Sequence, residues 1–166
     1  GLGDVYKRQI EDNPKQIIER KESTIKVVIE QSIKTKAKIV TRDEKESGIR
    51  AILNFGHTFG HAIEAYEKYK NITHGAAITL GMIIASKLSL YEGHIKDGQL
   101  KKVLDIIDLL ELESDYSKYN YAKLKPFMAK DKKISSGKLN LVMIDKNFNG
   151  FLTSKYNVKN IKKVLG

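Results

Sequence analysis

The most constraining feature of this chain is a fifteen-residue segment, R-A-I-L-N-F-G-H-T-F-G-H-A-I-E, at positions 50–64. His57 and His61 lie four residues apart in it, each directly after a glycine, among apolar residues with helical spacing. Four residues make about one helical turn, so both imidazoles are predicted to project from one helix face. His74 follows thirteen residues after His61. Because imidazole is a common metal ligand and general acid or base, we expect the functional site here.

The composition limits which metal ligands and which compartment we expect. None of the 166 residues is a cysteine, so a metal site must use histidines and carboxylates, a donor set that suits catalytic zinc or iron. The lack of disulfides agrees with a cytoplasmic protein. The longest apolar stretch, residues 76–85, is too short to span a bilayer, and no apolar signal peptide is visible. We therefore expect no membrane partner.

The net charge of +10, from 30 basic and 20 acidic residues, allows three interpretations. The first is nucleic-acid binding. The second is charge spread over solvated helix faces, which is favoured because the lysines are scattered from end to end and often lie near glutamates. The third is local, with Arg50 and a few lysines lining a pocket for a phosphorylated, acidic substrate. We expect no nucleic-acid partner.

The spacing of the apolar residues predicts a mostly helical chain. Predicted helices begin at Asn13-Pro14 and then run over about 24–40 after a Ser23-Thr24 cap, 48–69 through the histidine segment, 74–91, 97–112, 121–132 and 158–165. After Gly137 the apolar residues alternate, which predicts a strand, and Asn149-Gly150 predicts a turn into a return strand at 151–153. The predicted fold is mainly α, a multi-helical bundle with one small β-hairpin near the C-terminus.

The segment at positions 50–64 resembles the signature of 3-dehydroquinate synthase, a zinc- and NAD-dependent enzyme of the shikimate pathway. An arginine, an asparagine, two histidines and two glycines match in fixed register. The resemblance extends from about Ile10 to the C-terminus and implies that residues 10–166 form the C-terminal metal- and substrate-binding helical domain. Residues 1–9 do not fit and are interpreted as a foreign or junction segment. No candidate for the N-terminal NAD-binding domain is present, so we interpret the chain as a C-terminal fragment.

The resemblance also implies a metal site. It assigns His57 and His74 as ligands of Zn²⁺ or another divalent ion such as Co²⁺, and His61 as a residue that contacts substrate and assists proton transfer. The third ligand in the family is a glutamate further upstream, in a segment not found here, which leaves a gap in the predicted site. The family usually continues the last histidine as H-G-E-A, whereas Ala76 replaces the acidic residue in this chain.

Residues on both sides of the histidines receive roles from the resemblance. Catalytic or substrate-binding roles fall on Lys36, Glu46, Arg50, Asn54 and, for the substrate phosphate, either Lys132 or Lys133. By chemistry alone, an arginine holds a carboxylate or phosphate through its planar fork, and an asparagine hydrogen-bonds a substrate hydroxyl. Without the resemblance, the lysines and acids in this set are typical of a solvated surface.

The implied activity is a phosphorus–oxygen lyase reaction. It converts 3-deoxy-D-arabino-heptulosonate 7-phosphate to 3-dehydroquinate and phosphate, with NAD bound mainly by the missing domain. This chain alone is expected to be inactive, and the full-length protein to be a homodimer, since the family is often dimeric. Alternatives are a related sugar-phosphate cyclase such as 2-deoxy-scyllo-inosose synthase and, on charge alone, a non-catalytic basic helical module. Arg50, Asn54 and the D-K-K segment argue against iron-dependent dehydrogenases, which share only the spaced histidines.

Overall fold

The computed structural model describes residues 13–44, 48–129, 134–135 and 138–166. Its helices are α1 (Pro14–Ile18), α2 (Glu22–Arg42), a 3-10 helix (Ile49–Asn54), α3 (His57–Tyr66), α4 (His74–Tyr91), α5 (Asp97–Leu109), α6 (Tyr121–Met128) and α7 (Val158–Leu165). Its strands are β1 (Ile134–Ser135), β2 (Lys138–Leu139), β3 (Leu141–Ile144) and β4 (Gly150–Thr153), paired antiparallel as β1–β2 and β3–β4. The predicted helical bundle with a hairpin near the C-terminus is confirmed, with one additional short strand pair.

Helix α4 is the centre of the packing. It is apolar along its length, and α3, α5, α7 and β3 all contact it. Ser89 ties it to the hairpin, because its hydroxyl donates to Ala85 O at 2.8 Å and accepts from the amide of Ile144 at 3.1 Å. The core contains the fully buried side chains Phe59, Ile63, Leu80, Ile83, Ile84, Leu88, Tyr119, Leu124, Leu141 and Met143. In the part of the chain that the structure describes, no helix is both long and apolar enough to cross a membrane.

Helices α3 and α4 cross with almost no space between their backbones. A Cβ added at Gly81 would lie 2.1 Å from the carbonyl oxygen of Gly56 and 2.7 Å from the amide nitrogen of Gly60. A Cβ added at Gly60 would lie 3.0 Å from Ala77 O. Backbone atoms cannot move aside as a flexible side chain can, so the crossing depends on glycine at these positions. The crossing brings the first turn of α3 against the middle of α4.

The predicted continuous helix from Gly48 to Tyr69 is wrong, because the chain breaks at Gly56. A 3-10 helix ends at Asn54, Gly56 has a φ of 80°, and α3 begins only at His57. That φ lies in the left-handed region where glycine is favoured, and a Cβ there would come 2.6 Å from Met82 N. The predicted helix placed Arg50 and Asn54 on the same α-helix as His57. In the structure they lie on the 3-10 helix instead.

Helix α2 forms as predicted, but its apolar stripe is not buried. Among the described residues, those of α2 are all exposed or half-buried, with Ile29 at 53% and Ile33 at 63% exposure. The helix contacts α1 and the 3-10 helix. The helix begins at Glu22, so the predicted cap residues Ser23 and Thr24 lie inside it. The Thr24 hydroxyl donates to the side chain of Gln16 at 2.6 Å.

The β3–β4 hairpin is confirmed, but β3 does not alternate between buried and exposed residues. All four of its residues are buried, since α4 contacts it and so does the 3-10 helix. A Cβ at Gly150 would lie 3.1 Å from the Cβ of Ile52, which shows how closely the 3-10 helix covers β4. In the turn, Asp145 Oδ1 accepts from the amides of Asn147 and Asn149 at 2.8 and 2.9 Å.

The remaining helix ends lie near their predicted positions. Helix α4 spans the predicted range, and Gly93 follows it with a φ of 79°. Helix α5 begins at Asp97, and Lys96 is its N-cap residue. The helix ends at Leu109, three residues before the predicted end. Helix α6 ends at Met128, and the rest of its predicted range includes residues outside the described ones.

A buried carboxylate fixes the C-terminal end of α3. Glu67 Oε1 accepts from the Tyr119 hydroxyl at 3.0 Å and pairs with Lys118 Nζ at 2.9 Å. The hydrogen bond from Lys118 holds the pKa of Glu67 below its ordinary 4.5, against the opposing effect of burial. Burial raises the pKa of the Tyr119 hydroxyl. The network ties α3 to the loop that precedes α6.

We expect Gly81→Ala to lower the free energy of unfolding by about 3 kcal/mol, because the new methyl group would overlap backbone atoms of α3. Urea denaturation measures the change. Gly98→Ala in α5 is the matched control, since nothing lies within 4 Å of a Cβ there, and it should stabilise by up to about 1 kcal/mol. Equal stability of the two variants would contradict the close crossing.

We expect Glu67→Gln to destabilise the protein at neutral pH and to do so less as the solution is acidified. A lowered pKa in the folded state gives a stabilisation that is present above the ordinary 4.5 and is lost as the pH falls through the folded value. Urea denaturation of both proteins between neutral and acidic pH measures the difference. Glu30→Gln, in the exposed Lys34–Glu30 pair, is the control. A pH-independent difference for Glu67→Gln would refute this assignment.

Candidate metal centre

Three imidazoles converge beside the α3–α4 crossing. The ring centroids of His57 and His61 are 5.3 Å apart, those of His57 and His74 5.9 Å, and those of His61 and His74 6.2 Å. His57 and His61 lie one turn apart on α3, whereas His74 is the first residue of α4. The crossing therefore joins groups that the sequence separates by thirteen residues or more.

Glu64 adds a carboxylate to this cluster. Its Oε1 lies 3.0 Å from Nδ1 of His74. One ligand atom from each of His61, Glu64 and His74 lies within 4.8 Å of the others. The Glu64 side chain is 12% exposed and that of His74 is 61% exposed, so a largely buried carboxylate contacts an accessible imidazole.

His57 is oriented by the backbone at the helix start. Its Nδ1 lies 3.3 Å from the carbonyl oxygen of Phe55, and the residue is half-buried. With a proton on Nδ1, the ring donates to this carbonyl, and the contact selects one orientation of the imidazole. The break at Gly56 is what turns the Phe55 carbonyl toward the ring of the first helical residue.

The residues of this cluster fit a zinc-type divalent ion. Neutral imidazoles with a carboxylate are donors that Zn²⁺ and Co²⁺ accept in catalytic sites, which use three protein ligands and leave a position for substrate. The cluster offers three imidazoles and one carboxylate, all from α3 and the first residue of α4. Glu64 is the carboxylate of this cluster, and its Oε1 contacts Nδ1 of His74.

A cleft of about 390 Å³ opens next to the cluster. Its lining residues are Thr58, His61, Ala62, Glu64, Ala65, Tyr69 and Phe127. The cleft thus combines two polar groups of the cluster with apolar and aromatic surface from α3 and α6. A concave site with few polar groups is the usual setting for a small-molecule ligand.

Asp43 organises the chain around Arg50. This buried carboxylate accepts from the amide of Gly48 at 2.8 Å and from the amide of Arg50 at 2.9 Å. The guanidinium of Arg50 donates through Nη1 to the carbonyl oxygen of Glu44 at 2.8 Å. Asn54 is half-buried at the end of the same 3-10 helix. Both predicted substrate-binding residues thus lie on the segment that leads directly into His57.

The other predicted site residues lie on α2 or outside the described part of the chain. Lys36 is exposed on α2. Glu46, Lys132 and Lys133 fall outside the described residues. Their assigned roles, like those of the histidines, stay predictions.

Glu64 and Asp43 have no role predicted from the sequence. The signal for Glu64 was present, because it follows His57 by seven residues and His61 by three, which places all three on one helix face. Asp43 gave no comparable signal, since its partners are backbone amides across a turn.

The described residues thus form a helical domain in which three histidines and a carboxylate lie beside a cleft. The sequence model of the C-terminal domain of 3-dehydroquinate synthase matches residues 3–134 of the chain. The chain belongs to the 3-dehydroquinate synthase family.

Relatives named 3-dehydroquinate synthase support the same family. The Thermoanaerobacter sp. (strain X514) protein is 40% identical over 134 residues, which cover 81% of this chain and 38% of the relative. The Acinetobacter baylyi protein is 34% identical over 165 residues, which cover 99% of this chain and 46% of the relative. The chain therefore spans less than half the length of these relatives.

Solved structures share the fold. A 2-epi-5-epi-valiolone synthase from Streptomyces hygroscopicus subsp. jinggangensis 5008, solved with NAD⁺ and Zn²⁺, superimposes with a TM-score of 0.80 at 18% identity, over 95% of this chain and 44% of that one. A 2-deoxy-scyllo-inosose synthase, solved with carbaglucose-6-phosphate, NAD⁺ and Co²⁺, gives 0.69 at 24% identity, over 80% and 39%. These likenesses confirm the fold class.

Proposed function

We propose that this chain forms the metal- and substrate-binding part of a 3-dehydroquinate synthase. The whole enzyme converts 3-deoxy-D-arabino-heptulosonate 7-phosphate to 3-dehydroquinate and phosphate. The observation that carries the proposal is the convergence of His57, His61 and His74, with ring centroids 5.3–6.2 Å apart, in a chain of this family. The names of the relatives at 34–40% identity support the substrate.

In this proposal His57 and His74 hold a divalent ion, Zn²⁺ or Co²⁺. The ligand atoms that lie within 4.8 Å of one another belong to His61, Glu64 and His74, so the choice of His57 follows the family resemblance and the 5.9 Å between the ring centroids of His57 and His74. The metal content of the two solved cyclases supports a divalent ion. When bound, the ion would supply polarisation of a substrate oxygen, and NAD would supply reversible hydride transfer. We propose that NAD binds to a part of the enzyme that corresponds to the uncovered length of the relatives.

His61 is proposed to move the proton. Its imidazole is exposed, lies in the wall of the cleft and is close to both other rings, so a substrate in the cleft would contact it. An imidazole exchanges protons near neutral pH, which suits a step that acidifies a C–H bond. Phe127 also lines the cleft, and its apolar surface would limit the access of water.

Arg50 and Asn54 are proposed to orient the substrate. Arginine has five N–H donors, of which one is donated to Glu44 O, so the fork offers further donors to a carboxylate or phosphate. Asp43 fixes the backbone from which this side chain extends. Lys36, Glu46 and one lysine of the Lys132-Lys133 pair complete the proposed set. A cytoplasmic location and a homodimer are further parts of the proposal.

The related cyclases are the second candidate, and sequence identity argues against them. The chain is 18–24% identical to the two solved cyclases but 34–40% identical to the relatives named 3-dehydroquinate synthase. The basic binding module also loses support. Several lysines make contacts within the chain, such as Lys101 with Asp105 at 2.6 Å and Lys163 over the Tyr91 ring at 4.2 Å.

We expect the purified chain to bind Zn²⁺ with one-to-one stoichiometry, and His57→Ala and His74→Ala each to weaken binding by at least about tenfold, because each removes a ligand. Isothermal titration calorimetry measures both quantities. His94→Ala is the matched control, since this histidine packs on Phe151 and not in the cluster. Affinity unchanged in both cluster variants would contradict the proposed metal site.

We expect this chain alone to release no phosphate from 3-deoxy-D-arabino-heptulosonate 7-phosphate, even with Zn²⁺ and NAD, since we propose that NAD binds to the part of the enzyme that corresponds to the uncovered length of the relatives. Fusion to the N-terminal portion of the Thermoanaerobacter relative should produce phosphate and 3-dehydroquinate, measured colorimetrically and by chromatography. The same fusion with Arg50→Ala should lose most activity. Turnover by the unfused chain, or turnover of glucose 6-phosphate by the fusion in place of the proposed substrate, would overturn the assignment.

A further inference from the structure

The contact between Glu64 and His74 uses one specific nitrogen of the imidazole. Glu64 Oε1 lies 3.0 Å from Nδ1 of His74, within hydrogen-bond distance. A carboxylate accepts hydrogen bonds and does not donate them, so the pairing requires a proton on Nδ1. In the neutral imidazole the proton is on one nitrogen only, which leaves the lone pair on Nε2.

The two partners differ in how firmly the fold holds them. Glu64 is 12% exposed and lies on α3, the helix locked against α4 by the glycine contacts. The side chain of His74 is 61% exposed at the first residue of α4. Thr73 fixes the start of that helix, because its hydroxyl oxygen accepts from the amide of Ala76 at 3.3 Å. An exposed side chain on a fixed backbone still samples rotamers unless a partner selects one.

We propose that Glu64 is a positioning residue for His74. Its carboxylate holds the His74 ring in one rotamer, with the proton on Nδ1 and the Nε2 lone pair directed away from Glu64 and available to a metal. The inference rests on the proposed metal site for its purpose, but the pairing itself exists without metal. A carboxylate that accepts from the second nitrogen of a ligating histidine also raises the basicity of the ligating one.

The position of Glu64 supports this role over a purely structural one. It follows His61 by three residues, so the same face of α3 presents a histidine to the cluster and a carboxylate to the histidine of the next helix. His57 obtains the equivalent contact from a backbone carbonyl, at 3.3 Å from its Nδ1. Both histidines proposed as ligands therefore have an acceptor near Nδ1.

The first test reads the tautomer in the metal-free chain. Nitrogen-15 NMR with long-range proton correlations, at about pH 8 where imidazole is neutral, identifies the protonated nitrogen of each histidine. We expect His74 to carry its proton on Nδ1 in the wild-type chain and in Glu64→Gln, whose amide oxygen still accepts. In Glu64→Ala we expect the proton mainly on Nε2. A proton on Nε2 of His74 in the wild-type chain would overturn the proposal, whether or not metal binds.

The second test measures Co²⁺ affinity and the visible absorption spectrum of the bound ion. We expect Glu64→Ala to bind Co²⁺ about 10- to 100-fold more weakly, and Glu64→Gln to lose less than about tenfold, since it keeps an acceptor. Glu30→Ala is the control, because this exposed carboxylate pairs with Lys34 on α2. Thermal unfolding without metal should be similar in the three variants.

The outcomes separate this inference from the proposed function. If His74→Ala abolishes Co²⁺ binding but Glu64→Ala does not change it, the metal site stands and the positioning role of Glu64 fails. If Glu64→Gln loses affinity as fully as Glu64→Ala and its Co²⁺ spectrum changes, Glu64 is itself a ligand and the positioning role is also overturned. If the NMR result holds but neither His57→Ala nor His74→Ala affects metal binding, the proposed function fails and the pairing remains.

Discussion

The close crossing of α3 and α4 is the contact on which the rest of this structure depends. Gly81 meets the backbone at Gly56 and Gly60, with no space for a Cβ. Glycine in a helix interior costs about 1 kcal/mol relative to alanine. Here the lack of a side chain lets the two helix backbones touch. The crossing sets where α3 begins relative to α4, and so the distances among His57, His61 and His74. A side chain at position 81 would push α3 away from α4, and His57 and His61 would then move away from His74.

The proposed site lies on helices that are packed into the core, whereas α2 is not packed into it. The histidines and Glu64 belong to helices packed into the main core, with the Glu67 network fixing the far end of α3. By contrast, α2 has no buried residue among those described and leaves Ile33 63% exposed. A site with ligands on packed helices holds its geometry without the substrate, which is what preorganised catalysis needs. The proposed substrate-binding Lys36 lies on the exposed helix instead.

The sequence allowed the prediction of most helices, the hairpin and the clustering of histidines, because these depend on local spacing. The helix of residues 74–91 and the terminal helix have the predicted bounds. The helix through Gly48–Tyr69 was wrong because apolar spacing does not reveal that Gly56 adopts a left-handed conformation against Met82. The alternation expected in β3 failed since the 3-10 helix covers its second face, a contact between segments about ninety residues apart.

The sequence by itself determined the family and the donor types, since an uninterrupted signature and the absence of cysteine restrict a metal site to histidines and carboxylates. It also determined that His57, His61 and Glu64 share a helix face, because helical periodicity is local. Only the tertiary structure decided that Glu64 meets Nδ1 of His74, at 3.0 Å across two helices. That contact follows from the angle and separation of α3 and α4. The angle and the separation depend on packing between the two helices, which residue spacing along the chain does not specify.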